Sequence, residues 1–282
     1  MRINRFSAAI LLGIPLIYLI VFFVTPLGMV VVDSFSNPAG ELTLANYAAV
    51  LGEAYYWQVL GYTLWIALVT CVATLLLGYP LAYYMSLIEH RRTVRRVCFI
   101  LILMPLFTSN IVRSFGWIVL LGREGLVNET LLLLGIIDRP LRLLSTEVAI
   151  IVGMIYVMLP FMVLAIASVL QNMNGSLREA SRDLGATAFA TFVKVTLPLS
   201  APGIVAGTLI VFTLSISSYV TPRIMSGGRS VVSSMLIYDQ FMLVFNPFLG
   251  SAIAVVLLVT SFALIVAYTL IMERRPGRGG AS

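Results

Sequence analysis

The chain has 282 residues, of which 60% are hydrophobic and 11% are charged, and its formal net charge is +6. Soluble domains carry about 25% charged residues. This composition therefore excludes a water-soluble enzyme, a nucleic-acid-binding domain and a disordered chain. With a mean hydropathy of +1.02, the sequence predicts an all-α polytopic membrane protein, and no separate aqueous domain is expected.

Few residues suit catalysis or metal binding. The two cysteines, Cys71 and Cys98, lie in apolar stretches, and His90 is the single histidine. Zinc sites and Ser-His-Asp triads need histidines that are missing here, so neither a metal site nor a catalytic residue is predicted. The only lysine, Lys194, does not belong to a GK[ST] sequence. Without this phosphate-binding loop, no cofactor is expected in this chain, and ATP would have to bind another subunit.

Six apolar segments approach the length of about 20 residues that a membrane helix needs. They are predicted near residues 8–31, 61–87, 97–116, 147–170, 199–221 and 249–272. The third is the shortest, because Pro105 interrupts it and Arg113 closes it. The first is longer than the apolar region of a signal peptide, so an uncleaved span is expected. The run Leu131–Leu134 is too short to cross and predicts a re-entrant or surface helix.

Basic residues are more numerous in the flanks on one side of the membrane than in those on the other side. One side collects twelve, at positions 2, 5, 91, 92, 95, 96, 178, 182, 194, 274, 275 and 278, and the other side collects six, at 113, 123, 139, 142, 223 and 229. Cytoplasmic loops are the ones enriched in Lys and Arg. Both termini and the loops 89–96 and 172–197 are therefore predicted to be cytoplasmic.

The loop before the fifth segment predicts a short helix. Ser176 and Glu179 have the spacing of a capping box, and Gly185 can take the left-handed conformation that ends a helix. A second helical run over 186–196 is expected to end at Pro198. A short capped helix that is supported by a second helix fits a cleft in a partner protein. The alternative is an amphipathic helix lying on lipid, which is less favoured because its apolar face is small.

The loop also resembles a known family. Its pattern is Glu179-Ala180-Ser181-x3-Gly185-x9-Val195-x-Leu197-Pro198. This is similar to the EAA loop of permease subunits of binding-protein-dependent ABC importers, with Ser181 and Val195 as mild departures. Further stretches resemble the spermidine/putrescine-type branch of that family: Gly78–Tyr83, Arg113–Trp117, Leu121–Asn128 and Leu159–Met162.

The resemblance implies a type I ABC importer permease (MetI-like) fold with six transmembrane helices in the bacterial inner membrane. It implies one permease domain over 1–282, with a core at 61–272 and a coupling loop at 172–198. It also implies a second permease subunit, two ATPase subunits that hold ATP and Mg²⁺, and an extracytoplasmic substrate-binding protein. The expected coupling residues are Arg178, Glu179, Ala180, Ser181, Arg182, Asp183, Gly185, Leu197 and Pro198.

Candidates for the substrate path are polar or aromatic residues near the predicted spans: Arg113, Trp117, Tyr156, Ser215, Ser218, Tyr219 and Asp239. An arginine at this depth usually faces a cavity or a partner, although Arg113 can equally snorkel to the headgroups. Some serines of the fifth span can simply bond back to helix carbonyls. Asp239 can meet a cation or be a solvated loop charge.

The leading prediction is a permease that moves a small polar organic solute by alternating access. The solute is a polyamine such as spermidine or putrescine, or an amino-acid-like or opine compound, since the resembling branch includes both. No carboxylate lies inside a predicted span, so the residues themselves support a polycation only weakly. The alternatives are a membrane-embedded enzyme, which the shortage of histidines disfavours, and a channel that works without ATP.

Overall fold

The computed structural model describes Gly13, residues 15–87 and residues 92–273. Within these residues the chain is helical, and the only strand-type pairing is an isolated antiparallel bridge between Ser36 and Leu42. The basic residues at positions 2, 5, 91, 274, 275 and 278, which the topology prediction uses, lie outside the described residues.

The helices fall into long spans and shorter connecting pieces. In chain order they are α1 (Pro15–Ser34), α2 (Ala45–Gly52), α3 (Ala54–Leu87), α4 (Arg92–Leu103), α5 (Asn110–Leu121), α6 (Leu126–Leu133), α7 (Glu147–Asn172), α8 (Ser176–Asp183), α9 (Ala188–Leu199), α10 (Ala201–Ser217), α11 (Val220–Met225), α12 (Ser233–Met242) and α13 (Pro247–Glu273). Four of them, α1, α3, α7 and α13, are long and apolar enough to cross a membrane, and six spans result if each of two bent pairs counts as one.

The predicted third span is not a single helix, and it is interrupted next to Pro105, as the sequence indicated. A 3₁₀ turn over Met104–Phe107 follows α4, and the backbone is extended at Thr108. Ser109 then caps α5 by accepting the N–H of Ile111 at 3.3 Å. The two halves meet at 101°. Pro105 explains the break, because proline supplies no N–H and clashes with the preceding turn.

The fifth span also departs from its prediction. The helical run before it continues past Pro198 to Leu199 and includes a π-helical stretch over Phe192–Thr196. The chain bends by 59° between α9 and α10. At its other end, α10 stops at Ser217, and 220–225 form the separate helix α11. Within the predicted 199–221, helix α10 covers Ala201–Ser217.

The chain forms two compact units. The first contains the residues up to 60 together with 233–260. Here Tyr47 joins Ser34 by a hydrogen bond of 2.8 Å between their hydroxyls, and Asn46 donates to the carbonyls of Ser34 and Ser36. These bonds hold α2 against the end of α1. The rest of α1 is an exposed apolar surface, as lipid contact requires.

The second unit contains residues 61–232 and those from 261 onward, and it holds the main apolar core. The centre of this core is α7, where Met154, Met162, Val163 and Ile166 are fully buried. Helix α3 packs on the same core through residues such as Ile66, Tyr79 and Met85.

Two glycines bring α10 close to α7. A Cβ at Gly203 would lie 3.0 Å from the carbonyl oxygen of Ala165, and a Cβ at Gly207 would lie 2.7 Å from the sulfur of Met162. Small residues four apart allow this close approach between membrane helices. Gly203 and Gly207 therefore let α10 pack closely against α7 of the same chain.

Candidate functional site: a surface loop and an intramembrane cluster

The short helix α8 begins differently from its prediction. Gly175, and not Ser176, occupies the N-cap, and no side chain caps the helix there. Instead, the side-chain oxygen of Asn174 accepts the N–H of Ser176 at 3.1 Å. The predicted capping box is therefore wrong: Glu179 lies in the first turn, where its charge suits the helix dipole, but it does not reach back to the start.

The end of α8 agrees with its prediction. Gly185 has φ +83°, the left-handed conformation, with no neighbouring atom near the position of a Cβ. Its N–H donates to the backbone carbonyl of Arg182 at 2.8 Å, and the N–H of Ala186 donates to the backbone carbonyl of Ser181 at 3.1 Å. This pair of bonds is the one that closes a helix through a left-handed residue. Glycine is needed here for its backbone, since the surrounding space is open.

One side of the loop presents exposed apolar side chains. Leu184 is 89% exposed, Phe189 is 77% exposed and Leu177 is 46% exposed. Ala180, which lies between the two leucines on the helix, is also exposed. Together Leu177, Ala180, Leu184 and Phe189 form a surface that we call the loop face. The other exposed residues of the expected coupling set are Glu179, Arg182, Asp183, Gly185, Leu197 and Pro198.

Two side chains of α8, Arg178 and Ser181, tie the loop to neighbouring helices. The guanidinium carbon of Arg178 lies 5.7 Å from the centroid of the Tyr83 ring, over its face, a cation–π geometry. Ser181 and Thr191 are joined by a hydrogen bond of 3.1 Å between their hydroxyls, which ties α8 to α9. Among the expected coupling residues, Arg178 and Ser181 are the two that are half-buried.

An aromatic cluster continues this connection into the core. The ring of Phe192 contacts Tyr83 at 5.2 Å and Tyr79 at 5.7 Å between centroids, both edge-to-face. The Tyr79 hydroxyl is 2.8 Å from the hydroxyl of Ser200, at the bend between α9 and α10. A continuous set of contacts therefore runs from Arg178 to the bend of the fifth span.

Three of the expected path residues come together in the second unit. Trp117 on α5 and Tyr156 on α7 make an edge-to-face pair at 5.7 Å between centroids. Arg113 lies one turn before Trp117 and near Tyr156, and one of its terminal nitrogens donates to Asn110. Its other terminal nitrogen and its Nε are buried and have no acceptor among the described residues. We call Arg113, Trp117 and Tyr156 the arginine–aromatic cluster.

The remaining path candidates lie elsewhere. Ser215 is buried on α10, and its hydroxyl has no partner among the described residues. Ser218 and Tyr219 connect α10 to α11. Ser217 donates to the carbonyls of Thr213 and Leu214, the backbone bonding expected for some serines of this span. Asp239 belongs to α12 in the first compact unit.

Sequence reasoning missed two contacts that involve residues distant in the chain. Phe192 was not singled out, because nothing in its local sequence indicates that it meets Tyr79 and Tyr83 of α3. Trp65 donates its indole N–H to Glu147 at the start of α7. In the sequence, Glu147 is an acidic residue at the edge of a predicted span, and nothing nearby indicates its partner. Within the described residues, no group of three or more His, Cys, Asp or Glu could hold a metal ion.

Several helices long and apolar enough to cross a membrane, two broken spans and a short helical loop are the features of an integral-membrane protein. The chain belongs to the family of binding-protein-dependent transport system inner membrane components, whose sequence model matches residues 76–275. It is therefore the permease component of an ABC importer and a multi-pass protein of the inner membrane, and it is not itself an enzyme.

Two curated relatives match most of the chain, and a third matches less than half of it. The spermidine/putrescine transport system permease protein PotB of Escherichia coli (strain K12) is 33% identical over 257 residues, which is 89% of this chain and 92% of that protein. PotB of Haemophilus influenzae is 33% identical over 94% of each chain. The permease protein PotC of Shigella flexneri is 33% identical over 123 residues, 43% of this chain and 46% of PotC.

Solved structures share the fold. A bacterial ABC transporter involved in the import of the acidic polysaccharide alginate has a chain that matches with a TM-score of 0.73, at 18% identity over 96% of both chains. The same transporter type in complex with an alginate pentasaccharide-bound periplasmic protein matches with a TM-score of 0.72, at 18% identity over 98% of this chain and 96% of that chain. The expected importer permease fold is confirmed.

Proposed function

We propose that this permease imports a polyamine such as spermidine or putrescine. The observation that carries the proposal is the 33% identity to PotB over nine-tenths of both proteins. We further propose that 1–282 form one permease domain, with its core at 61–272 and the coupling loop at 172–198.

The loop face is proposed to dock on an ATPase subunit. Three large apolar side chains of the loop, at positions 177, 184 and 189, are exposed, and Arg178 and Ser181 anchor α8 to Tyr83 and Thr191. A rigid helix with an apolar outer face is a form that a cleft in another protein can bind. In this proposal two ATPase subunits hold ATP and Mg²⁺, and closure of these subunits moves the loop.

The contacts from Arg178 through Tyr83 and Phe192 to Tyr79 give this movement a route to the bend at Ser200. Displacement of α8 pulls on α3 and on the joint between α9 and α10, which favours a switch between outward and inward access. The other proposed partners are a second permease subunit and an extracytoplasmic binding protein that delivers the substrate.

The loops 89–96 and 172–197 and both termini are proposed to be cytoplasmic. The support is the excess of basic residues on that side, twelve against six, together with the placement of the ATP-binding partners. Loop 172–197 has to be cytoplasmic if it docks on an ATPase subunit.

A second candidate is a solute that carries a carboxylate, such as an amino-acid-like or opine compound. The observation that favours it is Arg113, whose guanidinium buries two nitrogens without acceptors among the described residues. A carboxylate can accept two parallel hydrogen bonds from an arginine, whereas a polyamine has only positive charges to bring near it.

The test compares substrates in one assay. The complete complex is reconstituted in liposomes with its binding protein, and ATP hydrolysis is measured with spermidine, putrescine, a basic amino acid or an opine. We expect stimulation by the polyamines. Stimulation by the amino acid or the opine alone would contradict the polyamine proposal and favour the second candidate.

A further inference from the structure

The first helix of the broken third span carries a mixed charged and apolar groove. Its lining comes from Arg95, Arg96, Phe99 and Ile100 on α4 and from Gln171 near the end of α7, and its volume is about 520 Å³. Sites for small organic molecules occupy roughly 300–1,000 Å³. The groove is thus large enough for a molecular fragment, and it is not part of the loop face or the arginine–aromatic cluster.

The four residues on α4 have an ordered arrangement. Arg95 and Phe99 are four residues apart, as are Arg96 and Ile100, so each arginine lies one helical turn from an apolar side chain on the same face. Phe99 is 42% exposed and Ile100 is 63% exposed. The groove therefore runs from a positive end to an apolar end along the helix.

The positive end has no neutralising partner within the described part of the chain. Arg95 donates to the side-chain oxygen of Gln171 at 2.6 Å, a neutral acceptor, and no described carboxylate pairs with either arginine. Gln171 fixes Arg95 at the junction of α4 and α7 without cancelling its charge. An anionic group is the complementary ligand for this end.

We propose that the groove binds an anionic phospholipid, with the phosphate against Arg95 and Arg96 and an acyl chain along Phe99 and Ile100. The helix belongs to a candidate span, Thr93–Phe107, so its apolar end lies where acyl chains are. A lipid has a charged head and an apolar tail in the same order as this groove, whereas an acidic segment of a soluble subunit matches only the arginines. Basic pockets between membrane helices are suited to anionic headgroups.

The experiment uses the whole transport complex, purified from nanodiscs that contain phosphatidylcholine with a small fraction of phosphatidylglycerol. Native mass spectrometry measures how much phosphatidylglycerol stays bound to the complex. Three forms are compared: the unchanged protein, the variant R95Q/R96Q, and the control R139Q/R142Q, which removes two exposed arginines of a different loop. The variant R95K/R96K keeps both charges.

We expect R95Q/R96Q to lower phosphatidylglycerol retention about 30-fold, since each basic residue near an anionic surface contributes about fivefold. R139Q/R142Q should retain the lipid, and R95K/R96K should restore most of it. Equal retention by R95Q/R96Q and the unchanged protein would overturn the proposal. Displacement of the lipid by millimolar inorganic phosphate would also overturn it, because the groove would then be a site for free anions. The proposal would also be overturned if R95Q/R96Q retained the lipid but lost an ATPase subunit, because the arginines would then belong to a protein contact.

Discussion

The guanidinium of Arg178 lies over the ring of Tyr83, 5.7 Å from its centroid, and this contact joins the surface helix α8 to the long span α3. Tyr83 in turn contacts Phe192 edge-to-face at 5.2 Å. One aromatic ring therefore meets both helices of the loop, and a force on α8 reaches α3 and α9 together.

Loss of that ring should weaken coupling. We expect Tyr83→Leu to lower substrate-stimulated ATP hydrolysis about fivefold, because a cation–π contact contributes roughly 1 kcal/mol. Tyr83→Phe keeps the ring and should retain nearly full activity. The neighbouring Tyr84, which is 52% exposed, is the matched control, and Tyr84→Leu should leave hydrolysis unchanged. Equal losses in the Tyr83 and Tyr84 leucine variants would show that the Arg178 contact does not transmit the movement.

Asn128 is expected to stabilise the loop between α5 and α7. It is fully buried, and its amide donates to the carbonyls of Gly122 and Leu141 and accepts the N–H of Leu141, at 2.8–3.0 Å. Asn128→Asp removes both donors and should lower the free energy of unfolding by about 3 kcal/mol, since each lost partner of a buried carbonyl costs roughly 1–3 kcal/mol.

Thermal unfolding of the purified complex measures this change. Asn172, which is exposed and donates one hydrogen bond to Ser168, provides the control, and Asn172→Asp should shift the midpoint little. A midpoint of Asn128→Asp equal to that of the unchanged protein would mean that the buried bonds do not hold this loop.

Much of the fold follows from sequence patterns, and the exceptions have physical causes. Long apolar runs predict α1, α3, α7 and α13, because the bilayer requires about 20 apolar residues in a helix. The interruption of the third span at Pro105 was predicted, but the 101° bend there was not, since hydropathy does not register how sharply a proline bends the chain. The start of α8 was predicted incorrectly because the helix begins one residue earlier than the Ser176 cap requires, with Gly175 at the N-cap.

Some features of the candidate sites could likewise be predicted from the sequence, and others could not. Gly185 was predicted because a left-handed residue has a local signature. The contact of Arg178 with Tyr83 and the groove beside Arg95 could not be predicted, since they depend on how helices distant in sequence pack together. Because the capping box is absent, Glu179→Ala has no predicted cost from helix capping, although Glu179 remains exposed for a partner.

Arg113 tests the arginine–aromatic cluster. If its guanidinium lines the path or its gate, Arg113→Ala should reduce uptake of the transported solute by about tenfold or more, because a charged hydrogen bond contributes roughly 1.5–3 kcal/mol. Assembly of the complex should be unchanged. Arg139→Ala, at an exposed position, should leave uptake unaffected. Normal uptake by Arg113→Ala would place the side chain at the headgroups, outside the path.

The topology can be tested by labelling single cysteines from outside the cell. After Cys71 and Cys98 are replaced, an impermeant reagent should label a cysteine at position 139 and fail to label one at 92 or 182. Permeabilised cells provide the control, since all three positions should react in them. Labelling of position 182 in intact cells would overturn both the orientation and the docking of the loop on an ATPase subunit.

The central claim is that α8 couples the membrane helices to ATP hydrolysis, and Gly185 tests it most directly. Gly185 has φ +83° in open space, so a side chain there adds backbone strain and no clash. Gly185→Val should displace the helix end, because a β-branched residue takes this conformation at a cost of roughly 1–2 kcal/mol or more. Gly185→Asn is the matched control, since asparagine tolerates the left-handed region.

Both variants are purified with the partner permease and assayed in liposomes for ATPase association and for substrate-stimulated ATP hydrolysis. We predict normal membrane levels for both, nearly full activity for Gly185→Asn, and weakened ATPase association with loss of stimulated hydrolysis for Gly185→Val. Full association and full stimulated hydrolysis in Gly185→Val would contradict the assignment of α8 as the coupling element.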